Sequence, residues 1–273
     1  MTQYITPLRK KLFLLLVPVL VGIVYLGGTV LSSSPKKDKS IIRINNLTRS
    51  FEVLSAKKYD GHLNLSLRNN SNKAITAYVF TSRMDPQTVF TFSEDFAFSE
   101  VGAVIAPGQD YEKTIGISNT LNRRNEVVLA LSAIIFEDNT GEGDPKAIRD
   151  IQDDRLGQKI QIMKALPVLD KLLRLSDTAL VSYWNKTARQ DFEVALDAPN
   201  TDALMKLNKK PINNGEPYNE NESEQFKTGT QTAKESILQK YQEMTDSVEN
   251  LRTDLRQSII RLRDLYAEMI TRF

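Results

Sequence analysis

Apolar positions fall along the chain in three patterns. Residues 12–31, LFLLLVPVLVGIVYLGGTVL, are apolar with no charge among them. From residue 41 the period becomes two: Leu63, Leu65 and Leu67 alternate with Asn64, Ser66 and Arg68. Beyond residue 144 the period is helical. Its clearest stripe runs Ile237, Tyr241, Met244, Val248, Leu251 and Leu255, in steps of 4, 3, 4, 3 and 4. These periods predict a membrane-length helix, a set of short strands and a helical C-terminal region.

As a helix, the first run is about 30 Å long, the thickness of a bilayer's hydrocarbon core. Arg9, Lys10 and Lys11 precede it and favour a cytoplasmic tail at residues 1–11, although Lys36, Lys37 and Lys39 lie on the far side. This pattern predicts a single-pass anchor held by membrane lipid through residues 12–31. The body is then extracytoplasmic at the cell membrane, in a periplasm or at the cell surface. The competing reading is a signal peptide whose cleavage releases a secreted body. Against it, the apolar run exceeds the usual h-region of about 7–15 residues, and no A-x-A site follows.

After a Ser/Pro/Lys linker at 32–40, strand-like runs fall near 41–45, 50–57, 62–68, 74–82, 88–93, 96–105, 111–118 and 126–136. Asp60-Gly61, Asn69-Asn70-Ser71-Asn72, Asp85-Pro86 and Pro107-Gly108 supply turns between them. Ile75, Ala77 and Val79 alternate with Thr76, Tyr78 and Phe80, which suits a strand buried on both faces. Short strands at this spacing, with no helical pattern between them, predict an antiparallel sandwich over 41–138 and an α+β fold class for the whole chain.

Two segments carry a resemblance. LNLSLRNNSNKAITAYVF (63–80) resembles the strand, Asn-rich turn and strand of Ig-like β-sandwich domains on bacterial envelope proteins. IAPGQDYEKTIGI (105–117) is similar to their later Pro-Gly turn and edge strand. The resemblance implies a fold and no particular activity, because such sandwiches host many functions.

Residues 139–207 read as helical. Asp144-Pro145 has the form of an N-cap with proline at the first helical position. Ile148, Ile151, Leu156, Ile160, Met163 and Leu166 follow, with Gly157 a weak point and Pro167 expected to end or kink the helix. Ser176-Asp177 predicts a second helix carrying Leu180, Trp184, Ala188, Phe192 and Ala195, and Ala203–Leu207 a shorter one. Residues 208–232 are so polar that they read as a flexible loop. Residues 233–273 read as one long amphipathic helix, about 58 Å over 234–272. Its seam of Tyr241, Val248, Leu255, Leu262 and Met269 would meet a protein partner or a second copy of the chain.

Composition narrows the chemistry. The chain has no cysteine and a single histidine, His62, so thiolate catalysis, disulfides, a lipid-modified cysteine and a two-histidine metal site within one chain are excluded. Of 36 bases, three precede the apolar run, leaving 33 against 34 acids, a balance that argues against nucleic acid as a partner. There is no Gly-x-Ser-x-Gly elbow to pair with His62, no P-loop and no dinucleotide fingerprint. Tyr183, Trp184 and Phe192 form an aromatic group at helical spacing, more in keeping with a core than with a binding patch.

One stretch stands out. Glu137, Asp138, Glu142 and Asp144, jointed by glycines, could offer oxygen ligands to Ca²⁺, with Asp150, Asp153 and Asp154 beyond them. EF-hand spacing fails, since Arg149 stands at position 12 when Asp138 is position 1. The plainer reading is a solvated turn whose Asp144 caps a helix. These features predict a membrane-anchored extracytoplasmic binding or scaffold protein without catalytic activity and without a cofactor. The alternative is a secreted or anchored carbohydrate-binding protein or hydrolase using the acidic loop 137–144 with calcium.

Overall fold

The computed structural model describes residues 41–59, 61–83, 89–98, 104–200, 203, 207, 223–249 and 254–272. The expected tail, anchor and linker at 1–40 lie outside the described residues, and no described helix is long and apolar enough to cross a membrane.

The chain is α+β. Its strands are β1 (Ile41–Asn46), β2 (Phe51–Tyr59), β3 (His62–Asn69), β4 (Ile75–Arg83), β5 (Val89–Asp95), β6 (Asp110–Gly116), β7 (Glu126–Phe136) and β8 (Gly141–Gly143). A short helix, α1 (Asn119–Asn122), precedes β7. One sheet has the order β1-β7-β4-β5 with β8 also on β7, and the other the order β2-β3-β6. Every pair is antiparallel except β1 with β7. The two sheets share one apolar cluster, to which β3 gives Leu63, Leu65 and Leu67, β4 gives Tyr78 and Phe80, and β7 gives Leu129 and Leu131. The Tyr78 ring sits in its middle, with Phe51, Phe80, Phe92 and Tyr111 at centroid distances of 5.6, 5.9, 6.0 and 6.2 Å. β4 is buried on both faces over residues 75–80, as the alternation of Ile75, Ala77 and Val79 with Thr76, Tyr78 and Phe80 predicts.

The strand expected over 96–105 is not formed in its described part. Asp95 accepts the Ala97 amide at 2.8 Å, a side-chain turn that ends β5; the Phe96 amide still donates to the Thr76 carbonyl at 2.9 Å, and Ile105 forms an isolated bridge with Ile75. β8 was not foreseen. Three residues, Gly-Glu-Gly, carry no hydrophobic period, and the strand lies flush on β7 because Gly143 has φ 115° and no Cβ to strike the Ser132 carbonyl.

The helices are α2 (Pro145–Leu173), α3 (Asp177–Tyr183), a π turn (Trp184–Ala188), α4 (Arg189–Asp197), α5 (Glu224–Glu249) and α6 (Leu255–Thr271). Asp144 caps α2 by accepting the Lys146 amide, with Pro145 at the first position. Pro167 neither ends nor breaks α2. Its ring is solvent-exposed, and Val168, Leu169 and Leu172 beyond it are buried in the helical core, which offsets a proline cost of about 3 kcal/mol. Leu180, Trp184, Ala188, Phe192 and Leu196 face that core at steps of four. An α-helix has 3.6 residues per turn, so such a stripe drifts around its surface, and the wider π turn rewinds it. Tyr241 stacks on Trp184 at 4.5 Å and donates to its carbonyl at 2.7 Å, while the indole N–H donates to Thr245 at 2.9 Å. Trp184 and Phe192 are therefore core, and Tyr183 lies at the edge of it.

Two expectations for the C-terminal region need correction. Residues 223–232 belong to a structured element, since Ser223 accepts the Phe226 amide at 3.1 Å and α5 starts at Glu224. The rest of the expected loop, 208–222, lies outside the described residues. The single long helix is two. Asp254 is extended (φ −72°, ψ 113°) and accepts the Gln257 amide, so its backbone leaves the helical region and α6 begins anew. Arg256 then donates to the Leu173 carbonyl at 2.9 Å and pairs with Asp177 at 2.6 Å, tying the start of α6 to the end of α2.

α2 and α5 cross where both carry glycine. A Cβ on Gly157 would lie 2.3 Å from the Phe226 carbonyl oxygen, and one on Gly229 only 2.0 Å from that of Asp154. Alanine is the better helix former by about 1 kcal/mol, yet here it meets backbone that cannot yield without separating the helices. Gly229→Ala is expected to lower stability by about 3 kcal/mol, the upper end for overpacking, in a thermal or urea unfolding measurement. An increase in stability would show that the crossing is not in contact.

Candidate binding cleft

The outer face of the larger sheet is only partly covered. α2 lies over its β7–β8 side, where Ser132 and Ala133 are buried. Over β4 and β5 a cleft of about 750 Å³ remains, with the first turns of α2 and the start of α5 as its far wall. Its floor follows from strand register. Val79 pairs with Ser93 and Thr81 with Thr91, so these four side chains share one face, opposite Phe80 and Phe92 in the core. Ala147, Ile151 and Thr228 supply part of the helical wall.

Most charge around the cleft is acidic and already partnered. Glu94, near the end of β5, alternates with Ser93 and Asp95 and so turns its carboxylate to the inter-sheet side, where it accepts from the hydroxyls of Tyr78 and Tyr111 at 2.5 and 2.9 Å and from the Lys113 ammonium at 2.6 Å. Burial pushes its carboxyl up, but the bonds from Lys113, Tyr78 and Tyr111 outweigh that and hold it below the usual carboxylate range. Burial, then hydrogen bonding to Glu94, pushes the Tyr111 hydroxyl up to about 12. This group joins β5 of one sheet to β6 of the other.

Asp95 meets Arg155 of α2, whose side chain is only 3% exposed, in a fork of 2.7 and 2.9 Å. The same guanidinium donates to Thr76 on β4 at 3.0 Å and to the Asn139 side chain at 3.2 Å. Gln152, three positions earlier on α2, donates to the Asn139 carbonyl at 3.0 Å. Asn139 stands at φ 65°, a left-handed position that asparagine tolerates. Asp150 pairs with Lys146 at 2.7 Å. Asp154 has a different environment. Burial raises its carboxyl pKa and nearby Asp95 adds to the rise, while the bond from Gln158 opposes it.

The four proposed calcium ligands do not converge. Lys73 holds Asp138 at 2.5 Å, and that pairing with the Thr140 bonds keeps the Asp138 carboxyl down at about 2. Glu137 accepts the Ala74 amide at 3.3 Å, Glu142 accepts the amides of Arg49 and Ser50, and Asp144 caps α2. Each carboxylate fastens the loop to a different neighbour, and among the described residues no group of three or more His, Asp or Glu is placed to hold a metal ion. Of the four, only Asp144 lines the cleft, joined there by Asp150 and Asp154. Asp95, the sheet's acidic contribution, was missed because its pattern in sequence is that of an ordinary strand end. His62 is exposed at the start of β3, in the other sheet.

The proposed partner seam is covered by the chain itself. Tyr241, Leu255, Leu262 and Met269 are buried in the helical core with α2 and the α3–α4 segment. The Val248 side chain lies outside the described residues.

Two outcomes test the electrostatics. Arg155→Leu leaves Asp95 facing apolar surroundings and is expected to lower stability by about 3 kcal/mol in urea unfolding, with Asp95→Leu in the same chain restoring part of it. Asp154→Asn is expected to raise the melting midpoint at neutral pH. A carboxyl whose folded pKa is raised binds its proton more readily in the folded state, so its charge costs stability above that pKa. The advantage of the variant shrinks as pH falls through the raised value, and a constant difference across pH would contradict this origin. Compared with protein-family models, curated proteins and solved structures, the chain matches none.

Proposed function

We propose that this chain is a membrane-tethered extracytoplasmic binding protein without catalytic activity, and that the cleft over β4 and β5 is its ligand-binding surface. The observation that carries this reading is the cleft itself: a concave site of ligand-binding size whose Asp95 and Asp150 are held in fixed positions by Arg155 and Lys146 of α2. Preorganised groups of this kind favour recognition, because little side-chain freedom is left to lose on binding.

The β region, in this reading, is an Ig-like sandwich. Two sheets facing one shared core, with the pairs β2-β3-β6 and β4-β7, support it, and β1 takes the edge place beside β7. The tether is the apolar run at 12–31 behind Arg9, Lys10 and Lys11. Confinement to a membrane raises the effective concentration of the cleft for ligands at the same surface.

Topology tests the tether. Protease added to spheroplasts is expected to remove the body from outside, while the untreated membrane fraction gives the full-length intact mass. A soluble body lacking about thirty residues would instead establish a cleaved signal peptide and end the tethered reading.

A further inference from the structure

The strand ends away from Arg155 form one face of the β region. β1 and β7 start there, with Ile41 opposite Glu126. β4 ends and β5 starts there, with Arg83 opposite Val89. β2 turns into β3 at the same end, with Tyr59 opposite His62. Lys58 of β2 ties the two sheets together here. It donates to the Asn122 carbonyl and, at 3.1 Å, to the Arg124 carbonyl just before β7. The opposite strand ends carry Thr76 and Asp95, which meet α2.

This face combines exposed apolar side chains with bases. Tyr59 is 69% exposed and Ile41 57%, and Val89 and Val128 are half exposed. Four such residues at one end make a group, unlike the single scattered ones of an ordinary surface. Lys57, Arg83 and Arg123 are exposed here and form no ion pair among the described residues. Arg83 also borders a notch of about 400 Å³ between the end of β4 and the start of β7. Arg43 pairs with Glu126 at 2.8 Å. The only other acids in the sequence joining these strand ends are Asp60 and Asp85, so bases predominate.

Apolar tips among bases suit a bilayer interface. Tyrosine is enriched at headgroup level, and Lys and Arg are drawn to anionic lipid. The covalent chain selects that occupant. The linker 32–40 leads from the apolar run into β1, and nine residues reach about 30 Å at most. So short a tether gives a high effective concentration, at which weak contacts are enough to dock the body.

We propose that this face docks on the bilayer that holds the anchor, an inference that rests on the tethered reading. Tyr59 and Ile41 enter the headgroup layer, and Lys57, Arg83 and Arg123 meet anionic lipid headgroups. Val89 also lines the cleft, so docking sets that end of the cleft at the lipid surface.

The chain has no cysteine, so one introduced cysteine carries a label at a single place. Asn125→Cys on this face and Asn72→Cys on the turn before β4, both exposed positions, each take a fluorophore in the full chain. The chain is reconstituted into vesicles of phosphatidylcholine, alone or with an equal part of phosphatidylglycerol, that carry a quencher on a lipid headgroup. Quenching is expected at Asn125 and not at Asn72, and more strongly with phosphatidylglycerol. Lys57→Gln, Arg83→Gln and Arg123→Gln together should lower the docked-to-free ratio about 100-fold, from about 5-fold per base near an anionic surface. Tyr59→Ser should lower it on both vesicle types. Equal quenching at the two positions, none at either, or no response to lipid charge overturns the docking face. Quenching that follows protein density in the vesicle rather than lipid charge assigns the face to a second copy and overturns the lipid assignment. Flotation of the vesicles separates this face from the tether. Chain that floats with both vesicle types while Asn125 stays unquenched keeps the tether and loses the docking face. Chain that floats only with phosphatidylglycerol keeps the docking face and ends the tethered reading, and chain that floats with neither overturns both.

Discussion

The Arg155 guanidinium fixes the relation between the helical region and the sheets. It leaves α2, enters the space above β4, and meets Asp95, Thr76 and Asn139 at once. An arginine buried this deeply persists only when its donors are matched, and the planar fork matches a carboxylate as lysine would not. The short β8–α2 connection sets the first turn of α2 beside β7, and Arg155 ties the same helix to β4 and β5. Because Arg155 is two positions before Gly157, the same stretch of α2 meets the sheet on one side and α5 on the other. The cleft and the helix crossing thus share a single rigid segment.

Much of this arrangement was legible in sequence where a local rule acts alone. Asp144-Pro145 marked the start of α2, the alternation in 63–67 marked β3, and the two largely apolar alternating sets in 75–80 marked a strand covered on both faces. Errors came where a distant contact overrides the local rule. Pro167 reads as a stop, yet the residues beyond it are held by α3, α5 and α6. Gly157 reads as a weak point in a helix and is instead the place where another helix must come close. The start of α5 at Ser223 was within reach, since Phe226, Thr230 and Ala233 extend the stripe of Ile237 and Tyr241 backwards at steps of 4, 3 and 4. So was the break before α6, because Asp254 and Gln257 have capping-box spacing.

The cleft was legible only in half. Acids at 144, 150 and 154 fall on one face of a helix that sequence could place, whereas Asp95 comes from a strand about fifty positions earlier, brought near by register. Nor could sequence tell a ligand-binding carboxylate from a fastening one. Asp138 and Glu142 have the composition of a calcium loop and the geometry of clasps, the first to Lys73 and the second to the amides of Arg49 and Ser50.

The parallel pairing of β1 with β7 has a mechanical consequence. The chain reaches β1 from its N-terminal side, and β7 leads through β8 to the helices. A pull between the N-terminal end and the helical region therefore enters one strand at its start and leaves the other at its finish. In a parallel pair those points lie at opposite ends of the ladder, so the force runs along the strands and all six matched positions from Ile41↔Glu126 to Asn46↔Leu131 resist it together. An antiparallel edge loaded the same way would peel open one rung at a time. Under tension the first strand acts as a shear joint, and the sheets behind it are shielded until that joint slips as a unit.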